Sequence, residues 1–116
     1  MTRMRLTIGV AVAGLALAGS ALAAPTATTV TVTAGKPSEL KFTLSKRSVP
    51  AGTVTFKVTN KGAAIHDFKI AGKKTKPLAA GKSATLRVTL KKGKAAFLCT
   101  VPGHAAAGMK GTLTVK

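Results

Sequence analysis

The residues of this chain that are best suited to bind a metal ion lie close together near its C-terminal end. The stretch FLCTVPGHAAAGMKGTLTV, residues 97–115, contains the only cysteine, Cys99, one of two histidines, His104, and the only methionine after residue 4, Met109. Four residues separate Cys99 from His104, and four more separate His104 from Met109. A second imidazole has one possible source in the sequence, His66.

These four side chains form a ligand set that suits copper in both of its oxidation states. Thiolate and thioether sulfur favour Cu(I), imidazole holds Cu(II), and two histidines with a cysteine and a distant axial methionine form a site used for electron transfer. Pro102 and Gly103 predict a chain reversal that returns His104 towards Cys99. Taken singly, each residue has a simpler interpretation, because cysteine and methionine commonly pack in cores and histidine is commonly hydrogen-bonded at the surface. The combination of every histidine and cysteine in the chain indicates the metal site.

Short β-strands are predicted to position these residues. Val54, Phe56 and Val58 alternate with polar residues, as expected for a strand with one buried and one solvated face. Similar alternation occurs around residues 28–33, 40–44, 68–70, 86–90, 95–99 and 113–115. Glycine and proline turn signals separate these segments, which predicts an all-β sandwich or small barrel of about seven to eight strands. HAAAGM is expected to form at most a short helical turn.

The N-terminal residues are typical of a secretory signal peptide. Arg3 and Arg5 precede an apolar run over residues 6–18, and the small residues Ala21 and Ala23 indicate a cleavage site after Ala23. The alternative is a membrane anchor, but the run is shorter than the roughly 20 residues that a spanning helix needs. We therefore predict a cleaved signal peptide over residues 1–23, one domain over residues 24–116, and a periplasmic or otherwise extracytoplasmic location.

The chain is strongly basic, with a formal charge of +17. Without Arg3 and Arg5 of the leader, 17 lysines and arginines remain against Glu39 and Asp67, a formal charge of +15. The lysines either form a solvated surface that discourages strand aggregation or attract an acidic protein or an anionic envelope polymer. Nucleic acid is a poorer candidate, because the chain has no tyrosine or tryptophan to stack on bases. The charge also predicts a monomer.

The two carboxylates and the single cysteine limit the possible functions. Glu39 and Asp67 are far apart in sequence, so they offer no evident acid and base pair for a hydrolase. Cys99 has no partner for a disulfide within its own chain and is left as a buried thiol, an intermolecular link or a ligand.

The motifs AAIHDF, with His66, and CTVPGHAAAGMKGTLTV resemble those of the small blue copper proteins of the cupredoxin family, in the plastocyanin, azurin and auracyanin group. The resemblance covers about residues 30–116 and implies a Greek-key β-sandwich with one type 1 copper ion. By this resemblance, His66, Cys99, His104 and Met109 are the copper ligands. The spacing of four residues on either side of His104 is most similar to that of auracyanin.

Asp67 departs from the family pattern, in which asparagine usually follows the upstream histidine. The family asparagine ties the two ligand loops together, and its backbone N–H approaches the cysteine sulfur. Asp67 is expected to accept a hydrogen bond from Thr100, although an ionised carboxylate has no hydrogen to donate. Its negative charge is expected to favour Cu(II) over Cu(I).

The resemblance implies a soluble electron carrier, not an enzyme, that exchanges electrons through His104. An apolar patch could surround this imidazole, formed by Val101, Pro102, Ala105, Ala106 and Ala107 with Ala63 and Ala64. Acidic docking surfaces on a cytochrome, an oxidase or a reductase would suit the basic charge. The alternative function is a module for copper buffering or delivery, which a single methionine in the mature chain disfavours.

Overall fold

The computed structural model describes residues 27–116, which form nine β-strands. In chain order these are β1 (Thr28–Ala34), β2 (Phe42–Leu44), β3 (Ser48–Val49), β4 (Gly52–Asn60), β5 (Lys69–Ile70), β6 (Lys73–Lys74), β7 (Ser83–Leu90), β8 (Gly93–Leu98) and β9 (Lys110–Val115). The strands form two sheets, with the orders β2-β1-β4-β7 and β3-β9-β8-β5-β6. Most neighbouring strands are antiparallel, but β1 pairs with β4 and β3 pairs with β9 in parallel.

The order of the second sheet brings the metal-binding motifs to one end of the sandwich. β8 lies between β5 and β9 and is antiparallel to both. Leu98, the last residue of β8, is opposite Lys69 at the start of β5 and Lys110 at the start of β9. The segment before β5 and the connection between β8 and β9 therefore meet at the same end, and these are the segments that carry His66 and Cys99.

The core lies between the sheets and follows from the alternation in the strands. On β1, Val30 and Val32 are fully buried, whereas Thr29 and Thr31 face solvent. The threonines of β1 thus face water on the outer side of the sheet, while the valines bury their apolar surface in the core.

Phe68 lies at the centre of an aromatic cluster that joins the two sheets. It is fully buried, and its ring centroid lies 5.4 Å from that of Phe42, 5.2 Å from that of Phe56 and 5.5 Å from that of Phe97. The edge-to-face arrangement with Phe42 and the tilted arrangements with the other two rings are favourable geometries for aromatic pairs. Since Phe68 follows Asp67 directly, this cluster anchors the segment that carries His66.

The all-β prediction is confirmed, and the structure contains two short strands in addition to the seven alternating segments of the sequence. β3 and β6 have two residues each and lie at the edges of the second sheet, and alternation cannot be recognised over two residues. Residues 27–116 contain no helix, and residues 102–108 form consecutive turns, in agreement with the expectation for HAAAGM. The described part of the chain accordingly has no helix that is long and apolar enough to cross a membrane.

The predicted signal peptide over residues 1–23 lies outside the described residues. The boundary between leader and domain therefore stays a prediction.

Candidate metal centre

Three potential ligand atoms converge at the end of the sandwich where β5, β8 and β9 meet. His66 Nδ1 lies 3.2 Å from His104 Nδ1, and His104 Nδ1 lies 3.6 Å from Cys99 Sγ. The ligand atoms of the three residues all lie within 4.8 Å of one another. Two imidazole nitrogens and one sulfur therefore face a common point, as the sequence predicted for these residues.

Each ligand is delivered by a different local structure. His66 pairs with Leu78 in an isolated β-bridge, in which each backbone N–H donates to the other's carbonyl, at 3.1 Å from His66 and 2.8 Å from Leu78. Cys99 follows directly after β8, so its side chain points into the sandwich, opposite to that of Leu98. His104 lies in the connection from β8 to β9.

The connection from Cys99 to Met109 closes on itself through backbone hydrogen bonds. Cys99 N–H donates to the carbonyl of Met109 at 3.1 Å, and Met109 N–H donates to the carbonyl of His104 at 3.0 Å. Gly103, with φ of +84°, makes the predicted reversal, in a region of backbone conformation that favours glycine. Met109 is fully buried, and its backbone contacts place it beside both Cys99 and His104.

Burial differs sharply among the converging side chains. His66 and Cys99 are 0% and 1% exposed, whereas His104 is half-buried. Solvent therefore reaches the centre from the His104 side.

Asp67 links the two segments that carry the histidine and the cysteine. Its backbone N–H donates to Cys99 Sγ at 3.5 Å, and its carboxylate accepts hydrogen bonds from the Thr100 backbone N–H, at 2.6 Å, and from the Thr100 hydroxyl. The acceptance of a hydrogen bond from Thr100 was expected for Asp67, and the contact of its backbone N–H with sulfur follows the pattern described for the family asparagine. These hydrogen bonds hold the Cys99 segment against the segment that carries His66.

The chemistry of the donor set fits a copper ion. Burial raises the pKa of the Cys99 thiol, with smaller opposing contributions from backbone hydrogen bonds. A bound cation would reverse this effect, because a coordinating thiol loses its proton. Two imidazoles and a thiolate are the trigonal donor set of blue copper centres, so the arrangement of His66, Cys99 and His104 fits one type 1 copper ion.

Glu39 also reaches this centre and was missed by the sequence analysis. Its Oε1 lies 2.9 Å from His66 Nε2 and accepts from the Ala64 backbone N–H at 2.6 Å, while its Oε2 accepts from the Ala63 N–H at 3.0 Å. These two backbone hydrogen bonds, helped by His66, lower the pKa of Glu39 to about 2. The only feature of the sequence that could have drawn attention to Glu39 is the scarcity of acidic residues, since it is one of two in the whole chain.

Asn60 is a second residue that the sequence analysis did not identify. It is fully buried, and its Nδ2 donates to the carbonyls of Ala64 and Leu78, both at 2.8 Å. Its Oδ1 accepts from the Gly62 N–H at 2.8 Å. Asn60 thus holds the segment before His66 against the strand partner of His66, and all its polar atoms are satisfied.

Comparison with known proteins agrees with this geometry. Residues 6–115 match the model of a family described as a cupredoxin-like domain. No curated protein sequence matches the chain significantly.

Several solved structures share the fold. Auracyanin B is 28% identical, with a TM-score of 0.69, and the match covers 78% of this chain and 89% of auracyanin B. A dithionite-reduced auracyanin from Roseiflexus castenholzii is also 28% identical, with a TM-score of 0.62 and coverage of 78% and 98%. Auracyanin A from Chloroflexus aurantiacus, described as a blue copper protein, has a TM-score of 0.62 with coverage of 77% and 98%; at 21% identity it shows similarity of fold alone.

Proposed function

This chain belongs to the cupredoxin-like family, and from this premise we propose that it is a soluble extracytoplasmic electron carrier. His66, Cys99 and His104 would hold one type 1 copper ion, and Met109 would serve as a fourth, weaker ligand. The observation that supports this proposal most directly is the convergence of two imidazole nitrogens and one thiol sulfur within 4.8 Å of one another. When bound, the ion supplies a one-electron change between Cu(II) and Cu(I).

The protein's contribution is a set of hydrogen bonds that hold the ligand residues in place. Asp67 connects the backbone of the His66 segment to Cys99 and Thr100, and Asn60 fixes the segment before His66. Because these hydrogen bonds lie within the protein itself, they restrict how far the ligand residues can move between oxidation states. Limited rearrangement favours rapid electron exchange.

His104 is the proposed route by which electrons enter and leave. Its imidazole is half-buried, and the neighbouring Pro102, Ala106 and Ala107 are exposed. On the adjoining segment Ile65 is 51% exposed, the only large hydrophobic side chain in residues 27–116 that is so exposed. These exposed apolar residues next to the two histidines support close docking of a redox partner at His104.

A row of lysines beside the metal centre supports the proposal that the redox partner has an acidic surface. Lys74 is paired with Lys69, Lys69 with Leu98, and Leu98 with Lys110, so these residues share the outer face of the second sheet. The three lysines are exposed, and Leu98 directly precedes Cys99. Like charges on neighbouring strands are unfavourable, and both carboxylates of residues 27–116 are engaged at the metal centre. An acidic surface on a cytochrome, an oxidase or a reductase would relieve this repulsion.

The test of the proposed function is to load the protein with Cu(II) and record its visible absorption, its electron paramagnetic resonance spectrum and its voltammogram. An intense thiolate-to-copper absorption band, narrow copper hyperfine splitting and a reversible one-electron wave are expected. A colourless protein without a reversible wave would contradict the proposal. Rapid loss of copper to a chelator would instead favour copper buffering or delivery.

Asp67→Asn is expected to raise the reduction potential. The substitution removes a negative charge next to Cys99 while the amide oxygen can still accept from the Thr100 N–H. Cu(I), which carries less positive charge, is then stabilised relative to Cu(II). We expect a rise on the order of 59 mV, the equivalent of a tenfold change for a one-electron couple. Thr100→Ser keeps both the hydroxyl and the charge and serves as the control, whereas a drop in potential for Asp67→Asn would overturn the argument.

The lysine row is expected to accelerate reaction with anionic oxidants. In the double variant Lys69→Glu with Lys110→Glu, oxidation of the Cu(I) protein by hexacyanoferrate(III) should slow by about tenfold or more at low salt. The effect should shrink at high salt, because exposed charges are then screened. The control, Lys57→Glu with Lys82→Glu, makes the same charge change at exposed positions in or beside the first sheet. Equal slowing in both double variants would show that only the total charge matters.

A further inference from the structure

The two carboxylates of the described chain both lie at the metal centre, although the protein is otherwise strongly basic. Asp67 contacts the segment of Cys99, and Glu39 contacts the far side of the His66 ring. Asp67 occupies a position that the family pattern already marks. Glu39 comes from the connection between β1 and β2, which contributes no ligand, so its presence at the centre requires a separate explanation.

We propose that Glu39 is a positioning residue that holds the His66 imidazole in the tautomer and orientation required for binding copper through Nδ1, and that its charge favours Cu(II). This inference rests on the proposed function, because it assigns His66 to copper.

The contact with Glu39 selects one tautomer of His66. An ionised carboxylate only accepts hydrogen bonds, so the 2.9 Å contact between Glu39 Oε1 and His66 Nε2 requires the hydrogen to be on Nε2. In a neutral imidazole the other nitrogen then carries the lone pair. That nitrogen is Nδ1, the atom that faces His104 and Cys99. Carboxylates commonly orient metal-binding histidines in this way and increase their basicity.

Glu39 also holds the backbone before His66, in addition to the His66 ring. The same carboxylate accepts from the Ala63 and Ala64 N–H groups, at 3.0 Å and 2.6 Å. It also lies against Gly62, where an added Cβ would come within 2.7 Å of both carboxylate oxygens. Glycine at position 62 therefore leaves the space that the Glu39 carboxylate occupies. Three donors on one segment converge on one side chain, which restrains both the position and the rotation of His66.

Glu39 also brings a negative charge close to the metal centre. The contact of the Glu39 carboxylate with His66 Nε2 places a negative charge one imidazole ring from the ligand atom Nδ1. The Glu39 side chain is 41% exposed, so water screens part of its field. His66 itself is fully buried, and the hydrogen bond to its ring transmits the effect of the carboxylate.

The test compares Glu39→Gln and Glu39→Ala with the wild type by two measurements. In voltammetry of the copper protein, the reduction potential should rise in both variants, since a negative charge is lost. In nitrogen NMR of the metal-free protein, the wild-type His66 should carry its hydrogen on Nε2, and Glu39→Ala should show a mixture of tautomers. Glu39→Gln is nearly isosteric and keeps one acceptor oxygen, so it remains informative if the alanine variant does not fold.

Thr31→Lys is the matched control. It adds the same unit of positive charge at an exposed position on the outer face of the first sheet, and the potential should stay unchanged. An unchanged potential in both Glu39 variants, or an unchanged His66 tautomer in the alanine variant, would overturn the inference. Failure of the proposed function is distinguishable, because the wild type would then lack the copper absorption band, and the tautomer measurement on metal-free protein still tests the positioning role.

Discussion

Replacement of Cys99 by serine is expected to abolish the intense thiolate-to-copper absorption band and the narrow copper hyperfine splitting. The chain has no other cysteine, and Cys99 Sγ is the only sulfur among the three converging ligand atoms. A serine hydroxyl is a harder donor with weak affinity for Cu(I), so the reversible wave at the wild-type potential should also be lost. Absorption, electron paramagnetic resonance and voltammetry on the copper-loaded variant measure these losses.

The serine variant is nearly isosteric, so the metal-free domain should still fold. Its backbone N–H still donates to Met109, and circular dichroism of the metal-free protein checks that the sheets are intact. Ala106→Ser is the matched control, because it introduces the same side chain at an exposed position of the same loop and should leave the band in place. Survival of the band in Cys99→Ser would show that sulfur ligation was assigned to the wrong residue.

Phe68→Ala is expected to destabilise the metal-free domain by about 3–5 kcal/mol, the range for truncation of a buried aromatic side chain. Phe68 is fully buried and packs against Phe42, Phe56 and Phe97, so its removal leaves a cavity between the two sheets. Domains of this size are commonly stable by about 5–15 kcal/mol, so the loss is a large fraction of the total. Urea denaturation of the metal-free protein is the appropriate measurement, because bound copper would add its own stabilisation.

Phe68→Leu is the control for this substitution. It retains most of the apolar volume and should cost roughly 1–2 kcal/mol, clearly less than the alanine variant. A loss below about 1 kcal/mol for Phe68→Ala would mean that the neighbouring rings collapse into the space and that the cluster does not anchor the His66 segment.

Local features of the sequence were sufficient to predict the fold class and the residues that meet. Alternation around Val54, Phe56 and Val58 predicts one of the longer strands, because side-chain direction in a strand depends only on neighbouring positions. Pro102 and Gly103 predicted the reversal that returns His104 to Cys99, again a local property. The candidate ligands could be identified without knowing any distance, since the chain has only two histidines and one cysteine. The assignment of all four ligands to copper stays a prediction for spectroscopy.

Contacts between distant segments were decided only by the tertiary structure. Glu39 contacts His66 although 27 positions separate them, and the sequence around either residue does not indicate this contact. The lysine row beside Leu98 depends on the register of four strands, and Ile65 is exposed although its side chain alone would predict burial. The physical reason is that periodicity determines which face of a strand is apolar, whereas register and loop packing depend on contacts summed over the whole sandwich. Residue type and spacing thus determined the chemistry available to this protein, and the packing of loops that contribute no ligand determined how that chemistry is held in place.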